Sequence, residues 1–249
     1  IPNFKLEKEI VERRVKRLAD GGVEFRLGVD VGKDITFAEL RQTHDAILVA
    51  TGVYKSKELT APGSDAKGVL KALDYLIAAN KVGLGETVAD YASGKLNAEK
   101  KNVVVIGGGD TAMDCVRTAI RQGAKSVTCL YRRDRANMPG SQREVANAEE
   151  EGVKFDWLAA PSAVTEKKGG GAKGVRAVRM RLGPPDASGR QAPEEIPGSD
   201  YESKADMVII TLSGWRCGCV RSPGRSWYRS TRTRSFSNTT EYNCGSVTT

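Results

Sequence analysis

The chain has 249 residues, 39% of them hydrophobic, and a formal net charge of +8. This length can bury a substantial core, in one large domain or two smaller ones. No apolar run approaches the ~20 residues that a membrane helix needs, and the first residues, IPNFKLEKEIVERR, do not resemble a secretory signal peptide. We expect a protein without a membrane partner and, because the cysteines show no disulfide pattern, a reducing, cytoplasmic compartment.

The first half of the sequence predicts a helix over 5–20, strands over 23–28 and 45–52, and a helix over 68–80. A strand over 102–109, a helix over 111–123, a strand over 126–133 and a helix over 141–152 follow. The last predicted strands are 153–161, 173–183 and 205–210, with a flexible loop at 167–174. Helices alternate with strands, and most of the strands are almost continuously apolar. This pattern is typical of a parallel sheet that is covered on both faces. The predicted fold class is therefore α/β, with a Rossmann-like sheet.

The positive charge is concentrated in residues 211–249, where six Arg against one Glu leave +5 of the +8, and where Lys, Ala and Asp are absent. Three interpretations compete: a basic nucleic-acid-binding tail, a disordered solvated tail, and the product of a reading-frame shift. The abrupt change of composition favours the frame shift. Cys217 and Cys219 are too closely spaced to indicate a zinc knuckle by themselves. We therefore expect no nucleic-acid partner.

The strand predicted over 102–109 runs into a glycine-rich turn, in the sequence VVVIGGGDTAMD. Gly107, Gly109 and Ala112 fit the pattern G-x-G-x-x-A, with Gly108 between the two glycines. In this pattern the first glycine permits a tight turn, the second lets the backbone approach a pyrophosphate, and the third small residue allows close packing of helix on strand. Because the turn lies between a strand and a helix, it predicts a dinucleotide site rather than a plain tight turn.

The residues after the next strand indicate which nucleotide is bound. An NAD site usually carries Asp or Glu about 20 residues after the turn, where it binds the ribose 2′-hydroxyl. This sequence has YRRDR there, with Arg132 and Arg133 at the position of the acid and Arg135 nearby. Guanidinium groups suit a 2′-phosphate, although a solvated charge cluster is the alternative. The sequence therefore predicts NADPH.

The stretch VVVIGGGDTAMDCVRTAIRQGAKSVTCLYRRDRANMPGSQREVANAEEEG, residues 103–152, closely resembles the small (beta) subunits of NADPH-dependent glutamate synthases. The resemblance extends from about residue 1 to residue 210 and stops where the composition changes. It implies a flavoprotein of the two-dinucleotide-domain type. In this family NADPH passes a hydride to FAD, and iron–sulfur clusters carry electrons to a large subunit that makes glutamate from glutamine and 2-oxoglutarate.

The resemblance also implies site residues and domains. The implied cofactor-binding residues are Gly107, Gly108, Gly109, Asp110, Thr111, Ala112, Arg132 and Arg133, with Glu144 near the nicotinamide-side ribose and Thr51 and Gly52 near the flavin. Residues 1–60 correspond to a remnant of the FAD-binding domain and residues 61–210 to the NADPH-binding domain. Residues 211–249 form an atypical basic tail that we expect to be disordered.

The sequence also departs from the family pattern. The first FAD fingerprint and the cysteine-rich iron–sulfur region would precede residue 1, and TLSGWRCG stands where a later Gly-Asp flavin motif is expected. We therefore expect this chain to bind FAD weakly or not at all. The alternatives to an active subunit are a non-catalytic NADPH-binding or interaction fragment and a related NADPH:FAD electron-transfer subunit.

Other chemistry receives little support from the sequence. His44 is the only histidine, no nucleophile motif accompanies it, and we expect it at the start of a strand. Cys115 and Cys129 are expected to be small buried apolar residues and not metal ligands. Residues 149–151, EEE, are expected at a solvated helix end. No catalytic side chain or metal site is predicted, because the two cofactors would carry the chemistry.

Overall fold

The structure is a computed structural model that describes residues 1–50, 58–187, 189 and 191–211. Its helices are α1 (Lys8–Asp20), α2 (Phe37–Thr43), α3 (Ala72–Gly83), α4 (Ala89–Ala92), α5 (Asp110–Arg121) and α6 (Gln142–Glu150). Its strands are β1 (Val69–Lys71), β2 (Asn102–Ile106), β3 (Ser126–Tyr131), β4 (Lys154–Trp157), β5 (Ala159–Lys167), β6 (Gly171–Pro185), β7 (Gln191–Glu195), β8 (Tyr201–Lys204) and β9 (Met207–Ile210).

Five strands form a parallel sheet in the order β1-β9-β2-β3-β4. β2 lies at its centre, where Val104 pairs with Val208 of β9 on one side and with Thr128 of β3 on the other. Four residues of β2, from Val103 to Ile106, are buried. A central parallel strand has neighbours on both faces, which explains its continuous apolar sequence. The predicted α/β fold with a Rossmann-like sheet is confirmed.

Two hydrophobic cores lie on opposite faces of this sheet, because alternate side chains of a strand point to opposite sides. Val103 and Val105 contribute to a core shared with α3, α5 and α6. Val104 and Ile106 contribute to a second core shared with β5 and β6. The prediction of a sheet covered on both faces is correct. On the second face the cover is the antiparallel sheet of β5, β6 and β8, in place of helices.

Two predicted strands do not form. Residues 23–28 and 45–50 adopt no strand and are largely exposed, with Leu27 87% and Leu48 78% accessible. A strand needs a neighbour for its backbone N–H and C=O groups. Among described residues 1–50, the only β pairing is an isolated bridge between Val31 and Ile35. Residues 51 and 52 of the second predicted strand lie outside the described residues.

Other differences concern element boundaries. The helix predicted over 68–80 begins at Ala72, because Val69–Lys71 pairs with β9 as an edge strand. The strand predicted over 153–161 divides at Leu158, whose φ of 53° interrupts the extended backbone. Residues 37–43 form a helix that the sequence analysis did not predict, although Thr36 and Glu39 make a complete capping box at its start. The proposed division into residues 1–60, 61–210 and 211–249 stays a prediction.

Candidate nucleotide-binding site

The turn between β2 and α5 requires glycine at its first two positions. Gly107 has φ 133°, and a Cβ there would collide with the hydroxyl of Thr211. A Cβ on Gly108 would lie 2.5 Å from the ring of Tyr131. The turn is tied to β3, since the Gly107 N–H donates to the Leu130 carbonyl over 3.1 Å and the Cys129 thiol donates to the Gly107 carbonyl over 3.3 Å. These contacts hold the turn close to the sheet.

The third glycine faces open space. A Cβ on Gly109 would meet no described atom within 4 Å, and Gly109 is the N-cap of α5 without a side-chain capping bond. In the described part of the chain, the backbone N–H groups of Gly109, Asp110 and Thr111 have no acceptor. Unpaired N–H groups at a helix start, together with the helix dipole, attract anions. This geometry fits a pyrophosphate.

Ala112 completes the glycine pattern. Its side chain is fully buried in the core between α5 and the sheet. Its backbone N–H donates to the Gly109 carbonyl over 2.9 Å and closes the first turn of α5. A small residue at this position therefore lets the helix start close to the sheet, as the pattern predicts.

Arg132 and Arg133 follow β3 at the same edge of the sheet. β2 and β3 are parallel and pair Ile106 with Leu130, so the segments after both strands emerge side by side. Arg132 is exposed and Arg133 is half-buried. Within the described residues neither guanidinium has a carboxylate partner, and the buried Nε of Arg133 has no hydrogen-bond partner. By contrast, Arg135 makes two bonds of 2.7 Å to Glu149.

The loop after these arginines returns to the glycine turn. The Gly140 N–H donates to the Gly108 carbonyl over 2.9 Å, and the Ser141 N–H donates to Oδ1 of Asp110 over 3.0 Å. The Tyr131 hydroxyl donates to the Asn137 carbonyl over 3.1 Å. The glycine motif does not indicate that Tyr131, Gly140 or Ser141 belongs to the site. The Pro-Gly pair at 139–140 indicated a turn, but not what that turn contacts.

Glu144 lies in the first turn of α6, three residues after Ser141. Its carboxylate accepts a hydrogen bond of 2.8 Å from Arg117 and lies 3.4 Å from Nζ of Lys5. Arg117 also bonds Glu151, and this hydrogen bond raises the pKa of Arg117 although burial opposes the shift. The structure therefore places Glu144 one helical turn after Ser141, with its carboxylate in a network of charges.

The expectation of a solvated end at residues 149–151 is wrong for Glu151. Its Oε1 accepts hydrogen bonds from Arg117 over 2.6 Å and from Arg121 over 2.8 Å. Burial would raise the pKa of Glu151, but the two guanidinium groups hold it below its ordinary value. The carboxylate is drawn towards α5 because the partly buried Arg117 needs acidic partners.

The remaining predicted residues lie elsewhere. Thr51 and Gly52 lie outside the described residues. His44 is exposed at the end of α2, with Nδ1 2.8 Å from the Thr43 hydroxyl, and does not start a strand because no strand forms at 45–50. Cys115 and Cys129 are buried as predicted, and burial raises the pKa of the Cys129 thiol to about 12.

In ranges 1–50, 58–187 and 191–211, no group of three or more His, Cys, Asp or Glu side chains is arranged to hold a metal ion. Of the helices that the structure describes, none has the length and apolar character needed to cross a membrane.

The fold and the turn together define a dinucleotide-binding α/β protein. The family of this protein follows from its sequence: the family model "Pyridine nucleotide-disulphide oxidoreductase" matches residues 1–210. The chain belongs to this family.

Individual relatives agree with the resemblance found in the sequence. The chain is 61% identical to the glutamate synthase [NADPH] small chain of Azospirillum brasilense, over 85% of this chain and 44% of that protein. It is 47% identical to the protein of the same name from Escherichia coli, over 85% of this chain and 45% of that protein. The chain thus spans about half the length of these curated relatives, and its resemblance to glutamate synthase small subunits is confirmed.

One solved structure shows the same fold. FprA from Mycobacterium tuberculosis, as a His57Gln mutant, superposes with a TM-score of 0.68 at 19% sequence identity. The match covers 90% of this chain and 61% of that chain.

Proposed function

We propose that the chain binds NADPH at the glycine turn. The N–H groups of Gly109, Asp110 and Thr111 bind the pyrophosphate, and Arg132 and Arg133 bind the 2′-phosphate. The observation that carries this proposal is a pair of guanidinium groups that have no acidic partner among the described residues, beside an open helix start. Salt-bridged arginines would have to break an ion pair first, whereas these two are available to a ligand.

The charge at this edge of the sheet favours NADPH over NADH. A carboxylate after β3 would accept from the 2′-hydroxyl of NADH and repel a 2′-phosphate. Arginines bind a phosphate through paired, charge-assisted hydrogen bonds, which are stronger than bonds between neutral groups. Arg133 has a further reason to bind an anion, because its buried Nε has no hydrogen-bond partner in the part of the chain that the structure describes.

Glu144 is proposed to contact the nicotinamide-side ribose. It lies one helical turn from Ser141, which itself bonds Asp110 at the start of α5. One oxygen, Oε2, serves both Arg117 and Lys5, and no described hydrogen bond uses Oε1. That oxygen can accept from a ribose hydroxyl.

We propose that the protein serves glutamate synthesis as an NADPH-dependent oxidoreductase. In this role, NADPH held at the glycine turn would supply a hydride for FAD, and iron–sulfur clusters would carry electrons to a large subunit that acts on glutamine and 2-oxoglutarate. The name of the relatives, glutamate synthase [NADPH] small chain, supports this role. Residues 1–60, including Thr51 and Gly52, are proposed to belong to the flavin side.

The test is a titration of the 249-residue chain with NADPH and NADH, by isothermal calorimetry. We expect tighter binding of NADPH, and we expect Arg132→Ala/Arg133→Ala to weaken it about tenfold or more with little effect on NADH. A matched control is Arg13→Ala/Arg14→Ala on exposed α1, which removes the same charge at positions distant in sequence from the proposed site. Equal affinity for the two nucleotides in the parent, or an equal loss in both double variants, would contradict the proposal.

A second candidate function is a non-catalytic NADPH-binding module. It is favoured by the exposure of the segment proposed to face the flavin: no residue of α1 or α2 is buried. Flavin absorbance of the purified chain and NADPH-driven reduction of a dye separate the two functions. A non-catalytic module binds NADPH but contains no flavin and reduces no dye. An active electron-transfer protein contains flavin and reduces the dye.

A further inference from the structure

Asp110 joins the starts of two helices. It is the first residue of α5, and its Oδ1 accepts the N–H of Ser141, the N-cap of α6, over 3.0 Å. Within the described residues, the Ser141 side chain itself makes no capping bond. A single carboxylate therefore lies near two helix N-termini, where a negative charge is favourable.

A second contact places the same two segments against each other. The Gly140 N–H donates to the Gly108 carbonyl over 2.9 Å, and a Cβ on Gly140 would lie only 3.0 Å from that oxygen. The backbone before α6 therefore lies directly on the glycine turn. The Asp110–Ser141 bond is the side-chain counterpart of this backbone contact.

We propose that Asp110 is a positioning residue, whose carboxylate fixes the start of α6 on the glycine turn and thereby sets the position of Glu144. This inference rests on the proposed NADPH site. Glu144 follows Ser141 by three residues on a regular helix, so a shift of Ser141 carries Glu144 with it.

The two halves of the cofactor should respond differently. Arg132 and Arg133, which are proposed to bind the adenosine 2′-phosphate, precede the loop and follow β3 directly. Their positions depend on the sheet and not on Asp110. Loss of the Asp110 bond should therefore weaken contacts with the nicotinamide half and leave those with the adenosine half.

The experiment uses the full 249-residue chain and measures dissociation constants for NADPH and for adenosine 2′,5′-bisphosphate. Asp110→Ala is expected to weaken NADPH binding about tenfold and binding of the bisphosphate less than about threefold. Asp110→Asn keeps an oxygen that accepts from Ser141, and it is expected to bind NADPH nearly as well as the parent.

Ser141→Pro tests the same bond from its other end. It removes the N–H donor, and the φ of Ser141, −58°, suits proline. If the hydrogen bond carries the effect, Ser141→Pro weakens NADPH binding as much as Asp110→Ala does. The double variant then binds NADPH no more weakly than either single variant.

Several results would overturn the inference. Asp110→Asn as weak as Asp110→Ala would show that the charge acts and the hydrogen bond does not. If Asp110→Ala lost as much affinity for the bisphosphate as for NADPH, the substitution would have damaged the site in general. If the losses of NADPH affinity added up in the double variant, the two substitutions would act independently. A parent that binds neither ligand would overturn the proposed function, and this inference with it.

Discussion

Residues 58–211 and residues 1–50 use similar apolar sequences with opposite results. Val104 in VVVI is 1% exposed at the centre of a parallel sheet, whereas Leu48 in AILV is 78% exposed and belongs to no strand. β2 has β9 and β3 as neighbours. An apolar run therefore becomes a strand only where other strands pair with its backbone and other side chains cover it.

The first residues are an exception within the exposed region. Lys5 lies 2.9 Å from Asp114 on α5, and the Phe4 ring lies under the guanidinium groups of Arg117 and Arg121. Contacts therefore join residues 4 and 5 to the helices of the compact region. Stability in this protein is expected to follow contact with the sheet and its helices, and not hydrophobicity alone.

The largest change in the free energy of unfolding is expected from a charge placed in the core of residues 58–211, and the same change in residues 1–50 should have little effect. Val104→Asp places a charge in the core between two sheets and should cost about 4 kcal/mol or more, enough to abolish cooperative unfolding. Leu48→Asp should change the free energy of unfolding by less than about 0.5 kcal/mol. Urea denaturation followed by circular dichroism measures both. Equal losses would contradict the comparison.

Alanine at two neighbouring glycines of the turn should affect different quantities, stability at Gly108 and NADPH affinity at Gly109. Gly108→Ala forces a methyl group against the Tyr131 ring and should cost about 1–3 kcal/mol. Gly109→Ala has free space and an ordinary φ of −89°, so stability should hold while NADPH affinity falls, because the methyl group occupies the approach of the pyrophosphate. Melting temperature and calorimetric titration give the two quantities. Unchanged NADPH affinity in Gly109→Ala would place the pyrophosphate elsewhere.

A smaller effect concerns pH. The pKa of Glu151 is held below its ordinary value of 4.5, so the folded state binds its proton less tightly than the unfolded state. Its contribution is therefore fully present above that value and is lost as the pH falls through the lowered pKa. Parent and Glu151→Gln should differ in unfolding free energy at pH 7 and converge at low pH. A constant difference across this range would contradict the role of the charge.

The smallest effect tests the contacts of the first residues. Phe4→Ala removes the ring beneath two guanidinium groups and should reduce the stability of the compact region by about 1 kcal/mol or less. Phe25→Ala is the matched control, since Phe25 is 44% exposed and lies in the region without strands. Thermal unfolding of both variants checks the difference.

The sequence was sufficient for features set by local pattern. β2, the glycine turn and α5 were predicted because apolar continuity, three glycines and helical spacing occur within 20 residues. β1 was missed because Val69–Lys71 forms a strand only through its pairing with β9, about 140 residues later. The two short strands β7 and β8 depend likewise on pairing with β6.

The site shows the same division. Gly107 and Ala112 have the steric roles that the motif predicts, whereas the role of Gly109 is the proposed close approach of the pyrophosphate. The packing of Tyr131 on Gly108 and the bond from Ser141 to Asp110 join residues 23 and 31 positions apart, and no periodicity encodes them. The partners of Glu144 were unpredictable for the same reason, since Lys5 and Arg117 come from distant elements.

Amide hydrogen exchange of the full chain, with and without saturating NADPH, tests directly whether the glycine turn and its arginines form the NADPH site. Without ligand, residues 103–106 should exchange slowly and residues 45–50 rapidly, because only the former are paired and buried. With NADPH, we predict added protection at residues 108–112 and 132–141 and none at residues 23–50. Protection confined to other segments, or no change at the turn, would contradict the assignment of the glycine turn and its arginines as the NADPH site.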